Sequence, residues 1–198
     1  MIDVGRWDVE AWAAAWRAAE PFAHVAIDDV VDDASMAELR DAIVRQPHWP
    51  NRGELYEMMA SGEPTAPPLR AFIDAIGSAP VRAAIGAISG DTLSRADGAS
   101  YVYLAGSYLL PHTDFRSGVD RKVAWIFYLS DDDAFSGGEL DLYRCDVDAT
   151  GEIVGTAIAR TLRPRKNRLV LFDVARTTLH RVREVTSGAR VSLAGWLY

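Results

Sequence analysis

The stretch Arg190-Val191-Ser192-Leu193-Ala194-Gly195-Trp196-Leu197 decides how this chain is read. Strand side chains alternate between two faces, so Arg190, Ser192 and Ala194 point one way and Val191, Leu193 and Gly195 the other. A guanidinium is thereby aimed into a packed interior. Comparable β-rich runs begin after Gly98: Ser100 to Leu104, Val123 to Leu129, Glu139 to Tyr143, Gly155 to Leu162 and Arg168 to Phe172. Each is bounded by turn residues and none has a helical period. Short strands at this spacing predict a sandwich or jelly roll.

Upstream the texture is helical. Phe22 to Val31 predicts a strand that turns at Asp32-Asp33 into a helix capped by Asp33 or Ser35. Met36, Leu39 and Ile43 give that helix one apolar stripe, and Pro47 stops it. His48 to Pro68 holds Trp49, Asn51, Gly53, Tyr56 and several prolines without periodicity, which predicts a long loop placed as a lid. Leu69, Phe72, Ile73 and Ile76 mark a second helix, and Val81, Ile85 and Ile88 a third that ends near Gly90. Trp7, Trp12 and Trp16 read as the stripe of an N-terminal helix, and His24 and His48 as structural. With no repeat or linker, the expectation is one domain over 1–198, mainly β with flanking helices. Residues 1–98 would give mostly helical support packed on the outer sheet, and 99–198 the jelly-roll core.

Composition narrows the partners. The chain has 198 residues and a formal net charge of -7, which disfavours a nucleic-acid partner. The one dense basic run, Arg160 to Arg168, is broken by Pro164 and Asn167 and reads as a solvated loop. A single Cys145 makes no internal disulfide and fits a cytoplasmic location. The apolar Trp12 to Trp16 segment is cut short by Glu10, Arg17 and Glu20, so neither a membrane span nor a signal peptide is expected. Nothing in the sequence indicates an oligomeric state.

The chemistry lies in His112-Thr113-Asp114 and the distant His180. An HxD pair at a strand end puts both side chains on one face, and a second imidazole can complete a triangular face of an octahedron. Two His and one carboxylate leave positions open, the ligand count of a non-haem ferrous site, whereas structural zinc fills its positions with protein groups. An inward Arg190 near such a metal asks for an anion, either an internal Asp or Glu or a dicarboxylate ligand held bidentately, with Ser192 as a further donor.

Several ordered blocks resemble the prolyl 4-hydroxylase-like branch of the iron- and 2-oxoglutarate-dependent dioxygenases. Tyr103-Leu104-Ala105-Gly106 leads into His112-Thr113-Asp114. Arg121, Val123 to Phe127, Tyr128-Leu129-Ser130 and Gly137-Gly138-Glu139-Leu140 follow. The last block is Pro164, Asn167-Arg168-Leu169-Val170-Leu171-Phe172, His180, Val182, Gly188, Arg190, Ser192, Gly195 and Trp196. Pro21-Phe22-Ala23-His24-Val25 to Asp33 is similar to the family's N-terminal strand entering its first helix. Ser130 stands where Asn is common. The aromatic usual three residues before the first ligand is Leu109, with Tyr108 one place off.

The resemblance implies a double-stranded β-helix, or distorted jelly roll, with His112, Asp114 and His180 holding Fe(II). Arg190, helped by Tyr128, would hold the distal carboxylate of 2-oxoglutarate, and Tyr103 would lie near the cofactor's metal-binding end. Dioxygen would be the oxidant and ascorbate a candidate reductant, with succinate and carbon dioxide released. A carboxylate at Asp114 fills the place that halogenating relatives leave for chloride, which favours hydroxylation. Candidate substrate residues are Arg116, beside the Ser117-Gly118 turn, and Trp49 and Tyr56 in the lid. The substrate reading that leads is an amino-acid-like small molecule, free or bound to a peptide or carrier. Its alternatives are a prolyl or other residue of a protein and, from another class, a cupin-type metal-binding protein without oxygenase activity.

Overall fold

The computed structural model describes residues 2–198. Helix α1 (Val9–Ala18) precedes strand β1 (His24–Ile27) and helix α2 (Asp33–Arg45). Next come strands β2 (Trp49–Arg52) and β3 (Tyr56–Ala60), then helices α3 (Pro67–Ile76) and α4 (Ala79–Ser89). The rest is sheet: β4 (Ala99–Leu104), β5 (Tyr108–His112), β6 (Val123–Tyr128), β7 (Phe135–Gly137), β8 (Leu140–Val147), β9 (Ile153–Leu162), β10 (Leu169–Asp173), β11 (His180–Val182) and β12 (Val185–Leu197).

The strands form one curled antiparallel sheet in the order β1-β10-β6-β12-β4-β3-β5-β11-β8-β9, with β2 on β3 and β7 on β12. This is the double-stranded β-helix expected from the sequence. Central strand β6, Val-Ala-Trp-Ile-Phe-Tyr, is buried along its whole length, so it reads as a continuous apolar run rather than an alternating one. Its outer face, Val123, Trp125 and Phe127, packs with Leu169, Leu171, Leu193 and the stripes of α2, α3 and α4. Phe72 of α3 stacks on Phe127 with ring centroids 4.4 Å apart. Burying each such side chain is worth about 1.5–3 kcal/mol, which fixes the helices on the outer sheet. The inner face, Ala124, Ile126 and Tyr128, turns toward a second apolar cluster with Val170, Phe172, Leu140 and Leu142.

Three local expectations change. Residues 48–68 are not a loop: β2 and β3 make a hairpin closed between Gly53 and Tyr56, and β3 pairs with both β4 and β5. β2 carries Pro50 and is mostly exposed, and β3 buries only Met58 fully, so no clear alternation marks them. Pairing with the main sheet creates them. Second, Asp32 rather than Asp33 or Ser35 caps α2, accepting from the Ser35 N–H at 2.7 Å. Third, Arg160 belongs to β9, and the basic run beyond it is paired rather than merely solvated: Arg165 and Arg168 reach Asp28, and Lys166 reaches Asp131. Asp131 also pairs with Arg40 of α2.

The N-terminal tryptophans are split: Trp7 precedes α1 and meets Trp12 edge-on at 5.3 Å, while Trp16 is buried. His24 Nδ1 donates to Phe22 O at 2.8 Å, and His48 Nε2 lies 2.9 Å from Ser100 Oγ, so both serve structure. Among the described residues no single helix is long and apolar enough to cross a membrane. The pair α3 and α4 passes that test together, but it is bent by 48° and its apolar face packs in the outer core.

Asn167 locks the approach to β10. It adopts a left-handed φ of 62°, its Oδ1 accepts from the Val31 N–H at 3.0 Å and its Nδ2 donates to Val31 O at 2.7 Å. Asn tolerates that backbone region better than most residues. Asn167→Ala should therefore cost about 2–3 kcal/mol in denaturant unfolding, because it strands buried backbone groups of Val31 and adds strain.

Candidate active site

The two histidines meet because of strand register. β11 runs antiparallel to β5 with His180 directly opposite His112, and directly opposed residues have neighbouring side chains. Their ring centroids are 4.3 Å apart. Asp114 lies two residues beyond the end of β5, and its carboxylate oxygens sit 3.8 Å from His112 Nε2 and 3.6 Å from His180 Nε2. One ligand atom from each of the three lies within 4.8 Å of the others, an arrangement that can hold a metal ion.

The hydrogen bonds orient both rings for that task. His112 Nδ1 is 2.9 Å from Leu110 O and His180 Nδ1 is 3.0 Å from Thr178 O. A carbonyl only accepts, so each Nδ1 carries the proton and each Nε2 presents its lone pair to the shared space. Burial pushes the His180 pKa down to about 4, against the upward pull of Asp114 and with a further push from His112. Neutral imidazole is the form a metal requires. Phe172 closes the other side of His180, ring against ring at 4.6 Å.

Strand β11 is itself tied down. Asp141, fully buried on β8, accepts from Arg181 Nε and Arg183 Nε, both at 2.8 Å, and from Thr161 Oγ1 at 2.7 Å. Burial raises the Asp141 pKa, but the bonds from Arg183, Thr161 and Arg181 outweigh it and hold the carboxyl below its usual range. A depressed folded-state pKa contributes stability above the unfolded-state value, and that contribution is lost as pH falls through the folded-state one. Asp141→Ala should cost about 2–3 kcal/mol at neutral pH. Unfolding curves should show the gap between variant and wild type closing as the solution is acidified through the carboxylate range.

Beyond the triad the cavity, about 520 Å³, deepens toward Arg190. Arg190 is 1% exposed and lies between two rings, its guanidinium carbon 4.8 Å from the Tyr103 centroid and 4.9 Å from that of Tyr128. Nη2 reaches Tyr128 Oη at 3.4 Å, while Nε has no hydrogen-bond partner. Among the described residues no carboxylate forms an ion pair with it, so the internal Asp or Glu partner is excluded. Ser192, equally buried, lines the same space one register step along β12. Burial pushes the Tyr103 hydroxyl far up, opposed by Arg190, so it stays a neutral donor. Tyr103 thus borders the guanidinium while remaining within electrostatic reach of Asp114.

The aliphatic stem of Arg190 runs close past a glycine. A Cβ on Gly138, at φ +71°, would stand 2.7 Å from Arg190 Cδ. Ser130 ties β6 to β12 at the same level: its Oγ accepts from the Val191 N–H at 2.6 Å and donates to Ala189 O at 3.1 Å.

Of the substrate candidates, Arg116 and Tyr56 line the cavity. Trp49 does not. It is 59% exposed, and Asn51, two residues nearer the hairpin turn, reaches the cavity instead. Sequence reasoning underused Arg121 and passed over Tyr101. Arg121 stacks over the Trp196 ring at 3.5 Å and its Nη1 donates to Asp114 O at 3.1 Å. Both side chains line the cavity, and Arg121 Nε and Trp196 Nε1 are buried without partners. The signal available was the position of Arg121 just before the apolar strand and of Trp196 in the last one.

A curled β-helix with a His-Asp-His cluster at its mouth and a buried arginine behind it defines the architecture of a non-haem iron oxygenase using an oxo-dicarboxylate. A sequence family described as the 2OG-Fe(II) oxygenase superfamily matches residues 98–198, and the chain belongs to it. Membership implies Fe(II) and 2-oxoglutarate and sets aside the cupin-type reading without oxygenase activity. Relatives include the prolyl 3-hydroxylase OGFOD1 of Mus musculus, 39% identical over 93 residues, and that of Xenopus laevis, 40% over 94. The match takes in 46% of this chain but only 16% and 17% of those relatives' lengths. Among solved structures, a Pseudomonas putida prolyl-4-hydroxylase superposes with a TM-score of 0.71 at 20% identity, covering 96% of this chain and 97% of that one. A Trichoplax adhaerens prolyl hydroxylase, solved with a hypoxia inducible factor oxygen degradation domain peptide fragment, gives 0.70 at 15%, covering 96% and 88%. At these identities the likeness establishes the fold.

Proposed function

We propose that this oxygenase hydroxylates a prolyl residue within a peptide or protein, with His112, Asp114 and His180 holding ferrous iron and Arg190, Tyr128 and Ser192 holding the distal carboxylate of 2-oxoglutarate. The observation that carries the cofactor assignment is the buried guanidinium of Arg190 with no carboxylate beside it. Such a charge is costly unless an anion completes it, and its planar fork matches a carboxylate. When bound, iron and 2-oxoglutarate supply the oxidising chemistry, with dioxygen consumed, succinate and carbon dioxide released and one oxygen atom entering a substrate C–H bond. Tyr128 offers its hydroxyl to the carboxylate beside Arg190, and Tyr103 lies over the guanidinium toward the triad. Phe172, Leu140, Val182 and Ile126 make apolar cavity walls that exclude water from the reacting region.

The peptidyl substrate draws support from two sides. The relatives bear prolyl hydroxylase names, which favours this reading over the free small metabolite. Arg121, whose Nη1 donates to Asp114 O, lines the cavity together with Trp196, and these N–H-bearing side chains suit an acceptor such as a main-chain carbonyl flanking the oxidised residue. Ascorbate enters only as a reductant that keeps iron ferrous.

Succinate release from 2-oxoglutarate, measured with Fe(II) and a panel of free amino acids and proline-containing peptides, tests the substrate class; stimulation by free amino acids but by no peptide would contradict it. His180→Ala should lose iron on dialysis. Arg190→Ala should keep iron but bind 2-oxoglutarate roughly a hundredfold more weakly by calorimetry.

A further inference from the structure

Beside the triad, the mouth of the cavity is basic although the chain as a whole is acidic. Arg116 follows Asp114 by two residues and lines the cavity. Its backbone is held in a tight turn, with the Val119 N–H donating to Arg116 O at 3.1 Å and Gly118 at φ +80°. Arg176, on the connection that leads into β11, lies over the ring of Phe115 with its guanidinium carbon 4.5 Å from the centroid, and Phe115 also lines the cavity. Arg121 stands behind them. Among the described residues none of the three makes an ion pair, in a chain that carries 28 acidic side chains against 21 basic ones.

Asp120, four residues from Arg116, pairs with Lys122, and Glu57 of the hairpin pairs with Arg52. Asp173, three residues from Arg176, makes no ion pair among the described residues, and burial raises its pKa. Among the described residues, the only acidic side chain lining the cavity is Asp114. A ferrous ion with a doubly charged dicarboxylate, Asp114 and Arg190 would balance to formal neutrality, so nothing at the reacting centre offsets the mouth arginines. A concave surface lined by one sign of charge focuses its field and draws the opposite sign.

We infer that Arg116 and Arg176 form a specificity site for a carboxylate side chain, an Asp or Glu that flanks the oxidised residue of the substrate. The inference rests on the peptidyl reading above and deepens it. Arg116 is two residues from Asp114, a backbone span of at most about 7 Å. A guanidinium at that place reaches side chains within about three residues of the oxidised one. Arg176 lies over the ring of Phe115, the cavity-lining residue that immediately precedes Arg116, and would give the acid a second planar donor. The pair selects sequence context and takes no part in the oxidation itself.

The test uses blocked heptapeptides centred on proline, with Glu, Gln or Lys at the flanking positions. Their binding is measured by calorimetry to protein loaded with Mn(II) and N-oxalylglycine, and their turnover by succinate release with Fe(II) and 2-oxoglutarate. Glu peptides should bind about fivefold tighter than Gln peptides, and Lys peptides more weakly still. The preference should shrink at about 0.5 M salt. In the Arg116→Ala/Arg176→Ala double variant Glu and Gln peptides should bind alike, with an unchanged melting temperature. Equal binding of all three peptides to the wild type, or a Glu preference that survives in the double variant, overturns the inference. Turnover of Gln peptides as efficient as of Glu peptides would sink this inference and leave the peptidyl reading standing. If no peptide binds or is turned over, both fall.

Discussion

A guanidinium buried to 1% exposure without a carboxylate partner is the constraint around which the inner sheet is arranged. An isolated charge in such a place would cost several kcal/mol, so the surroundings must soften it and a ligand must complete it. Two tyrosine rings flank it, one hydroxyl reaches it, and Gly138 clears space for its stem. Strand β12, which bears Arg190, pairs with β4 on one side and β6 on the other, and these two strands bring Tyr103 and Tyr128 to it. The outer helices clamp the other face of the same strands. The arginine thus sits on a strand paired on both sides, and its Nε has no hydrogen-bond partner within the protein.

The triad is built on a different principle. His112 and His180 belong to strands separated by long connections, and only the antiparallel register of β5 with β11 makes them face each other. Main-chain carbonyls two residues upstream hold both rings in one tautomer. Asp141 then pins β11 from the outside through Arg181 and Arg183, so the ring of His180 cannot drift without breaking a buried network. Two strands and one loop residue bring three candidate ligand atoms within 4.8 Å of one another, a set that could hold a metal ion with coordination positions left open.

Much of this was legible in the sequence because it rests on local pattern. The stripes of α2, α3 and α4, the continuous apolar run of β6 and the alternation in β12 follow from periodicity, and the ligand types of His112, Asp114 and His180 follow from coordination chemistry. What escaped depends on contacts between distant segments. The β2 and β3 hairpin has no period of its own and exists through pairing with β4 and β5. For the same reason Trp49, a natural choice as an aromatic anchor, proves exposed, while Asn51 and Leu55 reach the cavity. Arg121 was visible as a basic residue ahead of an apolar strand, yet its stacking on Trp196 requires two strands to be brought side by side. The ion pairs of Arg165, Lys166 and Arg168 with Asp28, Asp131 and Asp132 likewise join remote loops.

The proposed partner of Arg190 is the far carboxylate of an oxo-dicarboxylate. Calorimetric titration of the Mn(II)-loaded wild-type protein with 2-oxoglutarate and with 2-oxobutyrate, which has the keto acid but no second carboxylate, tests it most directly. 2-Oxobutyrate should bind roughly a hundredfold more weakly. Equal affinities for the two acids would contradict it.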